Sequence, residues 1–322
     1  MSSRPLSSLN IPRSTLSALT RAGYETVQDL QSIESAEYLA QDLKISISEA
    51  ESVFAPSQKP PTPFATLPLT QSAASMAKIA EKFTTRSSTI DKLLSGGIQR
   101  GHILEISGPP GTPKEVVAAN IVTSFVEAGE GVIFVDTQNM TSPASLNDSL
   151  QTSKNLPSHY LDLVHHLNIR TLPDLVLFMH NLPSLLATHP KVSLLILSSI
   201  SFLLQGGQNL TITSKHAILE KFKQVLVQAS ASRNLTIVST SQLATKILNA
   251  DGSPGTFDTG ARGVMVPQLG TTYLPSGRTY RIIFVPETKS SGIIKVLSSP
   301  IYQGKGPAPK MPYSVSRDGQ VP

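Results

Sequence analysis

Five short runs of mostly apolar residues punctuate the middle of the chain: HILEIS at 102–107, VIFVD at 132–136, SLLILS at 193–198, LTIVST at 235–240 and YRIIFV at 280–285. Runs this short and rich in Ile, Val and Leu predict strands buried on both faces, as in a parallel sheet. Between them, apolar residues return at helical spacing. Val117, Ile121, Phe125 and Ala128 mark one helix, and Ile218, Phe222, Val225 and Leu226 mark another from Ser214 to about Ser232. The alternation over residues 83–302 predicts an α/β core with a mostly parallel central sheet and helices on both faces.

The flanks read differently. Over residues 1–55 the pattern is that of a small all-helical domain. Ser14 or Thr15 is placed to cap a helix carrying Leu16, Leu19 and Ala22 and ending at Gly23, and Thr26 opens a second with Val27, Leu30 and Ile33. Ser48 is expected to cap EAESVFA, Glu51 to complete a capping box, and Pro56 to stop the helix. Short helices with Gly-containing turns suggest a helix-hairpin-helix module, a nucleic-acid grip or docking lid, or a plain packing domain. Residues 56–82 open on a stretch with five prolines in 56–72, which predicts an extended linker. Phe64 within it either plugs into a neighbouring subunit or packs on its own domain. The Gly-, Pro- and Ser-rich residues 303–322 are expected to form a disordered tail.

Composition narrows the chemistry. There are no cysteines, so disulfides, thiolate zinc sites, iron–sulfur clusters and a catalytic Cys are excluded. The seven histidines lack metal-ligand spacing with Asp or Glu, and no metal site is expected. No apolar run approaches the ~20 residues of a membrane span, and no secretory signal is read, so a soluble intracellular protein is expected. The net charge is +5, yet residues 1–60 hold five basic and seven acidic residues, so the excess lies in the core. That balance permits an anionic partner without requiring one.

The segment Gly108-Pro109-Pro110-Gly111-Thr112-Pro113-Lys114-Glu115 follows the first strand and opens the first core helix. A phosphate loop reads G-x-x-x-x-G-K-[ST] in that setting. Gly108 and Lys114 have the required spacing. Gly108, Gly111, Thr112, Lys114 and Glu115 are therefore the candidate cofactor-binding residues. Two positions depart. Pro113 stands where the second glycine supplies an N–H, and Glu115 stands where a Ser/Thr hydroxyl ligates Mg²⁺.

Around this loop the chain resembles the RecA-like eukaryotic strand-exchange recombinases, and more closely their paralogues. The similarity runs from Thr89-Ile90-Asp91-Lys92-Leu93-Leu94-Ser95-Gly96-Gly97-Ile98 through Phe134-Val135-Asp136-Thr137-Gln138 and Leu194-Leu195-Ile196-Leu197-Ser198-Ser199-Ile200. It continues through Ile237-Val238-Ser239-Thr240-Ser241-Gln242 to Val266-Pro267-Gln268-Leu269-Gly270 and Arg278-Thr279-Tyr280-Arg281-Ile282-Ile283-Phe284. It implies a RecA-like core and the family's helical lid at the N-terminus. In that family, acids at the positions of Gln138 and Ser198 activate the attacking water and support Mg²⁺. Both are neutral here, which implies little or no ATP hydrolysis and no catalytic residue. ATP would be held weakly through Lys114, and Mg²⁺ is not expected. The resemblance further implies an assembly or mediator factor in homologous recombination. Its partners would be other paralogue subunits, the strand-exchange recombinase and single-stranded DNA, and its residence would be nuclear. The alternative is a DNA-stimulated ATPase whose unorthodox metal site uses Glu115 or Asp136.

The family's two DNA loops would fall near Gln205-Gly206-Gly207-Gln208-Asn209 and over Lys246 to Val266, where Lys246 and Arg262 supply charge and Phe257 is the one aromatic. From Arg278 to Lys310 there are six basic residues against Glu287. The candidate DNA contacts are Lys246, Arg262, Arg278 and Arg281, against the simpler reading of flexible loops and a solvated basic face.

Overall fold

The computed structural model describes residues 6, 11–22, 30, 33, 35–43, 45–58, 81–205, 210–249, 253, 255–256, 258, 261–270, 273–300, 302, 307–316 and 319–322. The chain divides into two compact units, Met1–Ser72 and Ala73–Pro322.

The first unit holds helices α1 (Arg13–Arg21), α2 (Ala36–Leu43) and α3 (Ile47–Gln58). Leu39, Ala40 and Leu43 line one side of α2 and join Leu19, Leu30, Ile33, Ala50 and Val53 in a small core. The first helix starts ahead of both expected caps, with Thr15 buried in its first turn. The sequence offers two overlapping Ser-x-x-Glu boxes, and α3 uses the earlier one rather than Ser48 and Glu51. Ser46 Oγ accepts from the Glu49 N–H (3.3 Å), while the Glu49 carboxylate accepts from Ser46 N (3.2 Å) and Oγ (2.8 Å). Pro56, expected to stop α3, lies in its last turn. Proline there removes one backbone donor near an end rather than dividing the helix. Residues 59–80, with Phe64 and most of the expected linker, lie outside the described residues.

The second unit opens with a two-residue antiparallel pair, β1 (Lys82–Phe83) with β2 (Ile98–Gln99), framing helix α4 (Ser88–Leu93). The five expected strands are present as β3 (Ile103–Ser107), β4 (Gly131–Asp136), β6 (Val192–Ser198), β7 (Thr236–Ser241) and β10 (Thr279–Pro286). They lie in an eight-stranded sheet of order β12-β11-β10-β3-β7-β6-β4-β5, completed by β5 (Val164–Asn168), β11 (Ser291–Ser298) and β12 (Lys310–Ser314). The pairings from β10 through β5 are parallel, and β11 and β12 add an antiparallel edge. A RecA-like α/β architecture follows from this order.

Successive strand residues face opposite sides, which divides the core in two. On one face α5 (Lys114–Glu127) packs Val117, Ile121 and Phe125 against Leu104, Ile106, Phe134, Ile196 and Val238. On the other, α7 (Leu172–Thr188) and α9 (Ile212–Arg233) pack Leu175, Leu182, Phe222 and Leu226 against Ile103, Ile133, Leu195 and Ile237. The helices α6 (Pro143–Gln151) and α8 (Ile200–Gln205) complete the crossovers. Thr171 and Thr211 cap α7 and α9 through the N–H groups of Asp174 and Ser214. Adjacent His165 and His166 sit on β5. His166 stacks on Phe134, while His165 meets His189 edge-on.

The C-terminal residues correct the expectation of a disordered tail. Residues 310–314 pair with β11 in antiparallel register, Tyr313 meets Phe284 edge-to-face at 5.0 Å, and Val321 is buried. An edge strand needs mainly backbone bonds and a few anchoring side chains, so low apolar content does not forbid one.

Candidate phosphate loop and nucleic-acid ribbon

Strand β3 delivers the chain to the loop and α5 receives it at Lys114. Gly111 takes φ +84, a left-handed value that favours glycine. At Gly108 a Cβ would stand 2.5 Å from Thr112 Oγ1, so the Thr112 side chain fills the space a larger residue would need. That hydroxyl donates to Pro109 O (2.8 Å), as does Thr112 N (3.3 Å). Lys114 is buried; its ammonium lies 3.4 Å from Pro109 O and 3.3 Å from Glu115 Oε1. Pro113 is the N-cap of α5 and makes no side-chain cap bond. The five candidate cofactor residues are thus together in one loop, and the loop's groups bond to each other.

Beside the loop, the C-terminal ends of strands β6 and β7 carry hydroxyls, Ser198 and Ser241. Ser198 is fully buried, opposite Asp136 in the β4–β6 register, and the hydroxyls of Ser198 and Ser199 make no hydrogen bond among the described residues. Thr137 Oγ1 donates to Ser198 O and Ser199 O (both 2.9 Å), and Thr240 Oγ1 accepts from Ser199 N (2.8 Å). Asp136 spends both carboxylate oxygens on loop amides, Gln138 N at 3.0 Å and Thr141 N at 2.8 Å. This is the amide-binding role of a strand-end Asp. Gln138 follows, half-buried and neutral.

Mg²⁺-bound ATP, the cofactor this fold implies, does not fit these residues. The cradle over Gly108 is filled by Thr112, and Lys114 is already engaged. Position 115 offers no hydroxyl, and the strand ends offer no free carboxylate. Among the described residues no cluster of His, Asp and Glu could hold a metal ion.

The second candidate DNA loop is an antiparallel ribbon, β8 (Leu243–Leu248) with β9 (Arg262–Pro267). Lys246 lies opposite Val264 and Leu248 opposite Arg262, so the two cations share one face of the ribbon at diagonal positions, both exposed. Val264 and Met265 are also exposed. Residues 206–209 of the first loop, and Phe257, lie outside the described residues. One residue, Gln242, separates the ribbon from β7, whose last residue touches the phosphate loop. Ser241 O accepts from Gly108 N (3.2 Å), and the Ser241 and Ser107 hydroxyls are 2.9 Å apart. At the ribbon's base Gln268 N donates to Gln242 O (3.0 Å).

Arg278 is exposed on the turn before β10. Arg281 is not, and its assignment as a DNA contact is overturned. It is 3% exposed and pairs through NH1 with the fully buried Glu105 (2.5 Å), directly across the β3–β10 register. Arg281 also donates to Gly270 O (3.1 Å), and Tyr273 OH donates to Glu105 Oε1 (2.8 Å). Burial pushes the Glu105 carboxyl up, against the pull of Arg281, Tyr273 and Ser241. Burial, reinforced by the neighbouring Glu105 charge, drives the Tyr273 phenol well above its ordinary value. A lone charge in each of two apolar runs, ILEIS and YRIIFV, was the signal for this pair: two charges that must both be buried need each other. Of the remaining C-terminal cations, Lys295 and Lys310 lie directly opposite on β11 and β12, both exposed.

The fold and the loop define a class first: a P-loop core of RecA type. The Rad51 family model matches residues 77–319, and the chain belongs to that family. Among curated proteins it is similar to the DNA repair and recombination protein RadB of Methanosphaera stadtmanae, 27% identical over 164 residues, covering 49% of this chain and 66% of the relative. It is also similar to the RadB proteins of Methanobrevibacter smithii (36% over 52 residues) and Methanothermobacter thermautotrophicus (33% over 51). Those two matches cover 16% of this chain and 22% of each relative. Among the described residues no helix is long and apolar enough to cross a membrane.

Proposed function

We propose that this chain is a recombinase paralogue that serves homologous-recombination DNA repair as an assembly factor. It joins other recombinase-like subunits in the nucleus, loads or steadies the strand-exchange filament on single-stranded DNA, and turns over little or no ATP. The observation that carries this reading is a Rad51-family core whose phosphate-loop lysine is bonded within its own loop, beside a sheet edge of neutral hydroxyls. Phosphoryl transfer depends on positioning and on charge neutralisation by a metal, and the groups that would provide both are replaced. DNA contact is assigned to Lys246 and Arg262 on the ribbon, with Arg278 and the Lys295–Lys310 edge as further backbone contacts.

Three measurements test it. Tagged protein recovered from its own cells brings down other recombinase-like subunits, and the purified complex speeds recombinase loading on single-stranded DNA. ATP turnover by the chain is negligible with or without DNA. DNA-stimulated turnover that disappears in Lys114→Ala would replace this reading with the DNA-dependent ATPase. Asp136, whose carboxylate oxygens are both engaged, speaks against that alternative.

A further inference from the structure

We propose that Glu115 is a built-in anion for the phosphate loop: it takes the place of a nucleotide's phosphate on Lys114 and holds the loop in one closed state. The inference concerns the loop itself and stands whether or not the chain serves recombination.

Neighbouring residues at the start of a helix do not face one another. Lys114 and Glu115 nevertheless meet, because Lys114 bends back across the loop toward Pro109 O and Glu115 follows it. Their side chains are only 4% and 16% exposed, so the ammonium has little water to solvate it and depends on these two partners. The first turn of α5 also presents unbonded N–H groups and the positive end of the helix dipole, which favour a carboxylate there. Glu115 therefore pairs with the lysine and places its charge in the first turn of the helix, the two features that make such a loop attract phosphate. Three donors converge on Pro109 O: Thr112 N, Thr112 Oγ1 and Lys114 Nζ.

An entering polyphosphate must undo this set. It must break the Lys114–Glu115 pair, displace the Thr112 hydroxyl from above Gly108, and bring its negative charge against the displaced carboxylate. Magnesium does not help, because the position that would offer it a hydroxyl offers the carboxylate already bound to lysine. The ligand class excluded is the nucleoside triphosphate with or without metal, and the core keeps one loop geometry at any nucleotide level.

The test is a titration of the full-length chain with a fluorescent ATP analogue, in Mg²⁺ and in EDTA, for wild type, Glu115→Thr, Glu115→Gln and the Glu115→Thr/Lys114→Ala double variant. The wild type is expected to show no saturable binding and no response to Mg²⁺. Removing the internal anion is expected to produce saturable binding at least about tenfold tighter than the limit the wild-type titration sets. In the double variant the gain disappears. Wild-type binding as tight as that of Glu115→Thr would overturn the proposal. So would variants that keep the wild-type circular dichroism and melting curve yet gain nothing. Glu115→Gln preserves the side chain's shape, so it decides the question if Glu115→Thr fails to fold.

Discussion

Replacing Arg281 by methionine removes the guanidinium from a carboxylate that has no exposed surface. Breaking one side of a buried ion pair costs about 3–5 kcal/mol, because the charge left behind is uncompensated. Glu105 keeps Tyr273 as a donor at 2.8 Å, which places the loss toward the lower end of that range. For a domain of this size each kcal/mol lowers the melting temperature by roughly 2–4 °C, so a fall of about 10 °C is expected. Urea denaturation of wild type, Arg281→Met, Glu105→Gln and the double variant forms a thermodynamic cycle. The double variant should lose less than the sum of the singles by about 2 kcal/mol, since the introduced amide oxygen still accepts from Tyr273 and no charge remains buried. The sign with pH is also set. Without Arg281 the Glu105 carboxyl, already raised by burial, rises further. A raised acid is stabilising below its unfolded value and loses that contribution as pH climbs through the folded one. The variant's deficit must therefore be larger at pH 8 than at pH 5. A single-variant loss below ~1 kcal/mol, strict additivity, or a deficit that grows on acidification would each refute the assignment of Arg281 as a core residue.

On the ribbon, Lys246→Ala/Arg262→Ala should weaken single-stranded DNA binding and reduce the salt dependence of log K by about 1.4, two phosphate contacts' worth; an unchanged slope in a fluorescence-anisotropy titration removes the ribbon from the interface. At the C-terminal edge, Tyr313→Ala should cost about 3 kcal/mol by chemical denaturation, as for other buried aromatics, whereas residues that merely trail from the core would give no change. Burial holds the imidazoles of His102 and His165 below their ordinary value, with Arg278 and Lys82 adding to the first and His189 to the second. The unfolded chain then binds more protons below about pH 6.5, so stability must fall as pH drops through that value, and His102→Asn/His165→Gln should flatten the profile.

The parallel strands were legible because burial on both faces leaves no room for alternation: ILEIS, GVIFVD and VSLLILS announce themselves. Strand β5, reading VHHLN, did not, since an edge strand with half-buried residues needs no apolar run. The edge strand β12 was hidden for the same reason, its composition set by exposure rather than by core packing. Within the site, the loop residues were read from the spacing of Gly108 and Lys114, whereas Gln138 and Ser198 were singled out only by the family resemblance. Two things could be read from neither. Arg281 reads as one of six basic residues until the register sets it against Glu105. The pairing of Lys114 with its own neighbour depends on how the lysine folds over the loop, which no spacing encodes.

The carboxylate in the loop and the neutral residue at the end of β6 can be tested as one electrostatic unit. The loop and Ser198 share the C-terminal edge of the parallel sheet, and Ser198 lies fully buried opposite Asp136. A carboxylate at Ser198 would add a second buried negative charge there while the loop's lysine is committed to Glu115, and an unpaired buried carboxylate costs several kcal/mol or stays protonated. With Lys114 paired to Glu115, an acid at the end of β6 would lie opposite Asp136 without that lysine to balance it, a cost a small hydroxyl avoids. Ser198→Asp alone should accordingly destabilise the chain by about 2–4 kcal/mol. The same substitution in a Glu115→Thr background should destabilise it less, because Lys114 is then no longer neutralised by Glu115. Melting curves of the four proteins decide the matter: equal losses in both backgrounds would mean that the two positions are not coupled.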